Sequence, residues 1–219
     1  CTDPALYDCD IDAIRTAFAA AGCIEMPGCS SDCSIYFLNP QQMTGSQAQS
    51  FAQNLGANLV SIQSQDENDC ILSSLSTLGQ TGVIWIGFSD EVTEGSFVWY
   101  DHSPVVYTNW APGEPNQSGN EDCVQIYPTG ANPGTWNDLS CTSANSNSII
   151  EVNLCPVINA GPDISICAGL STTLNASNTL FGSAPYTYTW SNGPTVQSNP
   201  VTPAATTTYS VVTVDRYQC

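Results

Sequence analysis

The chain has 219 residues, 42% of them hydrophobic, which is enough for one large domain or two modest ones. Its charge is lopsided: Lys and Arg together number 2 against 20 Asp and Glu, for a formal net charge of -18. So few cations exclude nucleic-acid binding through phosphates and disfavour an anionic membrane surface, and no signal-peptide pattern or transmembrane run argues for membrane insertion.

The first 33 residues carry Cys1, Cys9, Cys23, Cys29 and Cys33. Asp10 is placed to cap a helix whose apolar positions Ile11, Ile14, Phe18 and Ala21 follow helical spacing, with Gly22 as its stop. A disulfide-stapled segment of this size is too short to bury a core alone. The stretch 34–38 (SIYFL) then reads as a strand. Two capping boxes follow, TGSQ at 44–47 and SQDE at 64–67. The first opens a helix with Ala48, Phe51, Ala52 and Leu55 on one face and Gly56 after it. The second opens one with Ile71, Leu75 and Leu78 on one face and Gly79 after it. Residues 83–88 and 96–100 read as strands, and 101–121 as a long irregular loop of the kind that usually carries function. Closing strands are expected at 123–127 and 148–154.

Composition shifts at 155–163 (CPVINAGPD). Beyond it there are no helix signals, only Thr-rich strands with period-two alternation, the pattern of a small antiparallel β-sandwich. The expected organisation is a Cys-rich segment (1–33), an α+β domain (34–156) and an all-β module (157–219).

Cysteine numbers 11 and histidine 1, and no CxxC pair has matching His spacing, so disulfides in an oxidising compartment fit better than zinc. The odd count leaves at least one cysteine free, paired between chains, or with its partner outside this segment. His102 has no Ser or Cys partner pattern, and no nucleophile–base pair or phosphate-cradling loop stands out. The chain reads as a binding protein rather than an enzyme.

Residues 112–141 (PGEPNQSGNEDCVQIYPTGANPGTWNDLSC) gather carboxylates and carboxamides where no Lys or Arg is available between Arg15 and Arg216. Calcium takes six to eight oxygen ligands in such a mixture, and Glu114, Asn116, Glu121, Asn137 and Asp138 supply it. A cis peptide before Pro115 would turn Glu114 and Asn116 toward one point. The competing reading is a solvated loop in an acidic chain.

The order of the motifs resembles the C-type lectin domain family: WIG (85–87), EPN (114–116), EDC (121–123) and WND (136–138), with Cys141 closing, over roughly residues 34–154. The resemblance implies a two-helix α+β fold with a long calcium loop. It implies a principal Ca²⁺ on Glu114, Asn116, Glu121, Asn137 and Asp138, and a disulfide between Cys123 and Cys141. It also implies sugar binding through the same residues, Glu114, Asn116, Glu121 and Asn137 among them, two vicinal hydroxyls reaching the ion directly. EPN goes with mannose-type sugars: mannose, glucose, N-acetylglucosamine or fucose. Asp90 and Glu94, joined by Glu121 and Asp122, stand where the family places an auxiliary calcium, although Gln117 departs from the Asp or Asn usual after EPN. The family's disulfide between first helix and last strand is missing, its positions being Ala52 and Ile150. That leaves Cys70 and Cys155 without an assigned partner, and either could tie the N-terminal segment to the domain.

Residues 157–219 resemble PKD-like or immunoglobulin-like modules of secreted Bacteroidota proteins, on AGPDISICAG (160–169), YTWSNG (188–193) and TYSVVTVD (208–215). Such modules are spacers, and the resemblance implies a Cys167–Cys219 bond. Two functions follow as expectations. One is a secreted or surface-displayed, calcium-dependent lectin on a stalk. The other is a subunit of an extracellular filament or surface layer, a homo-oligomer or interchain-disulfide assembly, in which calcium only orders the loops.

Overall fold

The computed structural model describes residues 6–29, 34–116, 120–142, 145–154, 157–180 and 184–215. It divides into two compact units, Asp10–Asn153 and a second made of Leu154–Cys219 with Cys1–Cys9.

In the larger unit, α1 (Leu6–Ala20), which belongs to it from Asp10 on, is followed by β1 (Ile24–Glu25) and β2 (Ser34–Met43). Asp10 lies inside α1 and does not cap it, because the helix begins at Leu6. Gly22 does end the turn that follows, with a positive φ of 84°. The Arg15 guanidinium pairs with Glu25 through Nε and a second nitrogen at 2.9 and 3.0 Å, so this basic residue is engaged where helix meets strand.

Next come α2 (Gly45–Asn54), β3 (Asn58–Leu59) and α3 (Gln65–Thr77). Thr44 caps α2 with both halves of its box formed. At α3 only half forms. Ser64 accepts from the Glu67 N–H, but the Glu67 carboxylate accepts instead from the Tyr36 hydroxyl and the Gln63 N–H, both at 2.7 Å. Cys29 and Cys70 are disulfide-bonded, which staples the N-terminal segment to α3. Ala52 and Ile150 are both fully buried, apolar where the family's disulfide would be.

The sheet is completed by β4 (Ile84–Ser89), β5 (Val98–Trp99), β6 (Cys123–Ile126), β7 (Trp136–Leu139) and β8 (Ser146–Asn153). Strand order is β1-β2-β8-β4-β6-β7, with β3 on β8 and β5 on β4. All pairs are antiparallel except β4 with β8. A core of Leu38, Ile62, Ile71, Leu75, Phe88 and Trp136, with their neighbours, fills the space between sheet and helices. Each such side chain stabilises the fold by roughly 2 kcal/mol. Gly87, in β4, donates its N–H to the Val60 carbonyl at 2.8 Å, and a side chain there would collide with the Leu59 carbonyl.

The second unit holds β9 (Val157–Asn159), β10 (Thr172–Asn175), β11 (Ser177–Leu180), β12 (Thr187–Trp190), β13 (Ser198–Val201) and β14 (Val211–Val214). They pair as three separate two-stranded antiparallel sheets, β9 with β11, β10 with β13 and β12 with β14. Trp190 is its largest buried side chain. Cys167 carries a free, exposed thiol, and Cys219, the partner expected for it, lies outside the described residues. The turn that starts at Cys167 is held against Pro203, whose carbonyl accepts from the Gly169 N–H at 3.1 Å. Among the described residues no helix is long and apolar enough to cross a membrane.

Candidate functional site

The long loop is anchored at its far end by main-chain bonds. Trp110 forms a parallel bridge with Trp136: the Trp136 N–H donates to the Asn109 carbonyl and the Ala111 N–H to the Trp136 carbonyl, both at 2.8 Å. Trp136 is fully buried, its indole meeting Trp99, Trp110, Tyr107 and Phe88 edge-on. The chain then turns, with the Glu114 N–H on the Ala111 carbonyl at 2.9 Å, and passes through a cis Glu114–Pro115 peptide.

That turn brings Asn116 to β7. Its N–H donates to Asp138 Oδ1 at 3.2 Å, and the Glu114 carboxyl lies within hydrogen-bonding reach of Asp138. Asp138 is 1% exposed. Asn137, half-buried beside it, donates its Nδ2 to the Asp138 carbonyl at 2.8 Å. Glu121 is half-buried just before β6, whose Val124 and Gln125 face Asp138 and Asn137 across the ladder. Cys123 and Cys141 are disulfide-bonded and tie the base of β6 to the end of β7.

Burial, then the hydrogen bond and charge of Asp138, hold the Glu114 carboxyl above the usual carboxylate range, while Asn116 opposes the shift. Glu114 Oε2 is buried and accepts no hydrogen bond. An acceptor left without a donor beside a second carboxylate is costly unless a cation stands against both. Among the described residues, the one trio of metal-capable side chains within 4.8 Å of one another is Glu91, Cys123 and Cys141, and both sulfurs are spent in the disulfide. Glu114, Glu121 and Asp138 share one end of the β6–β7 hairpin but are not drawn that tightly together.

The auxiliary group sits alongside. Asp90 is buried, donating its N–H to the Asp122 carbonyl at 3.2 Å and accepting from the Gly95 N–H at 2.8 Å. Asp122 accepts from Asn120 Nδ2 at 2.6 Å. Exposed Glu94 is held above its ordinary range, first by desolvation and then by the charges of Asp90, Asp122 and Asp138, so the two acidic groups feel each other. Gln117 lies outside the described residues.

Two features escaped the sequence. One is Asn68, a buried carboxamide on α3 that meets Trp136 and Gly134. Its signal was a polar residue three positions before Ile71 on the apolar stripe. The other is an acidic cleft of about 480 Å³ lined by Glu67, Asp101 and Glu151 with Ser34, Tyr36 and Ser61. Ser34 Oγ donates to Glu151 Oε1 at 2.7 Å, and the Ser61 N–H to Oε2 at 3.1 Å. Ser61 Oγ stands between Glu151 and Asp101, at 3.1 and 2.8 Å. Burial, opposed by the serines, pushes the Glu151 carboxyl up to about 7, and Glu67 adds to the rise. The Tyr36 phenol is pushed well above its ordinary value, by burial first and then by Glu151 and Glu67. A charge inside the apolar run of the last strand was the available clue.

The family model for the lectin C-type domain matches residues 41–149. The mouse low affinity immunoglobulin epsilon Fc receptor is 44% identical over 98 residues, 44% of this chain and 27% of the receptor. The chicken mannose-binding protein is 38% identical over 97 residues, 44% of this chain and 35% of that protein. The alpha-N-acetylgalactosamine-specific lectin of Patiria pectinifera is 36% identical over 101 residues, 45% of this chain and 60% of the lectin. The chain thus spans between 27% and 60% of the length of these curated relatives. Among solved structures, the carbohydrate-recognition domain of cow CD23, determined with a GlcNAc2Man3 oligosaccharide, superposes with a TM-score of 0.50 at 32% identity, covering 56% of this chain and 90% of that one. The family match leaves the C-terminal strands outside it, and these relatives, being animal proteins, lend no support to a Bacteroidota origin.

Proposed function

Residues 41–149 belong to the C-type lectin domain family, and on that premise we propose that the Glu114–Asp138 face holds a calcium ion through which the chain binds sugars of the mannose type. The family is one of binding proteins, not enzymes, and carbohydrate is a ligand typical of its members. The observation that carries the reading is the buried, unsatisfied Glu114 Oε2 beside Asp138, in a region without a single basic residue.

Glu114, Asn116, Glu121, Asn137 and Asp138 would hold the ion. When bound, it supplies open coordination positions for paired hydroxyls. The protein's own part is to orient them: carboxylate oxygens accept from each sugar hydroxyl, and the Asn116 and Asn137 amides donate to it. Asp90, Glu94 and Asp122 would take a second ion that fixes the neighbouring loop. The EPN triplet supports mannose, glucose, N-acetylglucosamine or fucose, although the starfish relative is named for N-acetylgalactosamine at similar identity. The two disulfides among the described residues suit an extracellular or cell-surface setting. The C-terminal unit is taken as a spacer of sandwich type, and avidity would come from multiple copies.

Retention on mannose-agarose, abolished by EDTA, is the expected result. Glu114→Gln and Asn137→Asp should both lose retention while the calcium-free thermal midpoint stays near wild type. Retention indifferent to chelator removes the mechanism. No glycan binding beside calcium-dependent thermal stability would turn the assignment toward loops that calcium merely orders.

A further inference from the structure

Three stretches far apart in sequence meet at one carbonyl oxygen, that of Gly134. Asn68 Nδ2, from α3, donates to it at 3.1 Å, and Asn109 Nδ2, from the long loop, donates at 2.8 Å. Asn68 also accepts at Oδ1 from the Trp136 indole N–H at 3.1 Å, so a carboxamide only 1% exposed is used at both ends. Asn109 is used twice as well, its own carbonyl accepting from the Trp136 N–H at 2.8 Å. Gly134 is fitted to this junction: its φ is 84°, and a side chain there would meet Asn68 Nδ2 at 2.9 Å.

The junction lies between the two arms of the proposed ligand set. Asn137 and Asp138 directly follow Trp136 in β7. The other arm leaves from the same point, since the Ala111 N–H sits on the Trp136 carbonyl and the Glu114 N–H on the Ala111 carbonyl. We propose that Asn68 and Asn109 are positioning residues for the calcium face, together holding the Glu114 arm and the β7 arm at a fixed separation through the Gly134 carbonyl. This rests on the calcium reading above. Neither residue touches the ion or the sugar, and both act through the Gly134–Trp136 segment, as outer partners of metal ligands generally do.

The test measures calcium affinity by titration calorimetry in the wild type, Asn109→Ala, Asn68→Ser and, as a control for simple core loosening, Ile71→Val, one turn along the same helix. Each Asn variant should weaken calcium binding by about tenfold. Mannose affinity should return to wild type at saturating calcium, because the ligands themselves are intact. Ile71→Val should lower the calcium-free melting temperature with calcium affinity unchanged. Asn109, half-buried, keeps its main-chain bond in the alanine variant and remains informative if Asn68→Ser does not fold. Wild-type calcium affinity in Asn109→Ala overturns the positioning role alone. A wild-type protein that binds no calcium overturns both this role and the function it rests on.

Discussion

In the cleft between α3 and β8, Glu67, Asp101 and Glu151 are met by donors from their own chain; in the long loop beside the β6–β7 hairpin, Glu114 buries an oxygen that nothing in the chain meets. Both groups are acidic, and the sequence holds no Lys or Arg between Arg15 and Arg216. Serine hydroxyls, a tyrosine and main-chain N–H groups meet the first. In the second, Asn116 donates to the Glu114 carboxyl, but Oε2 is left without a donor and the carboxyl stands against a second carboxylate, Asp138. Negative charge alone therefore does not mark a cation site in so acidic a protein. The informative quantity is what remains unsatisfied after internal donors are counted.

The largest effect expected from this contrast is at the hairpin. Asp138→Asn removes a charge from the proposed ligand set and should weaken calcium binding by more than about 1000-fold in calorimetry. If affinity is retained, the asymmetry between the two groups has no functional meaning.

An intermediate effect is expected in the cleft, measured in chelator. The folded-state value of Glu151 is raised from 4.5 to about 7, so the folded state holds this proton more tightly than the unfolded chain does. The stability it contributes is fully present below 4.5 and is lost as pH rises toward about 7. Urea midpoints of Glu151→Gln and wild type should diverge over that interval, leaving wild type less stable by about 3 kcal/mol at higher pH. Parallel pH profiles would show that the serines fully offset the burial.

The smallest effect belongs to Tyr36→Phe, which removes one donor from Glu67. It should cost roughly 1.5 kcal/mol of stability. Calcium affinity should not change, since neither Tyr36 nor Glu67 belongs to the proposed ligand set.

The helices were legible because their caps and stripes are local: Thr44, Ser64 and the glycines that follow mark α2 and α3 within a residue or two. The long loop was legible from its Pro, Gly and Asn content. Strand β7 was not read as a strand, since Trp136–Leu139 has neither alternation nor β-branched residues and is made a strand by its pairing with β6. Asp10 misled because a capping residue type also occurs inside helices, and nothing nearby distinguishes the two. The ligand residues of the hairpin were visible as motifs. Their supports, Asn68 and Asn109, were not, because a carboxamide's partners are 66 and 25 residues away in the chain.

The hydrogen atom at Gly87 sets a limit on redesign of this scaffold. The exposed stretch 104–106 of the long loop can be exchanged to present other recognition surfaces, because the loop is tied to the framework on either side of it, by Asp101 and Ser103 before and by Asn109 and Trp110 after. Position 87 cannot take part in such exchanges, since any larger group would push β4 off the Leu59–Val60 backbone and part the strands on which every grafted loop would stand.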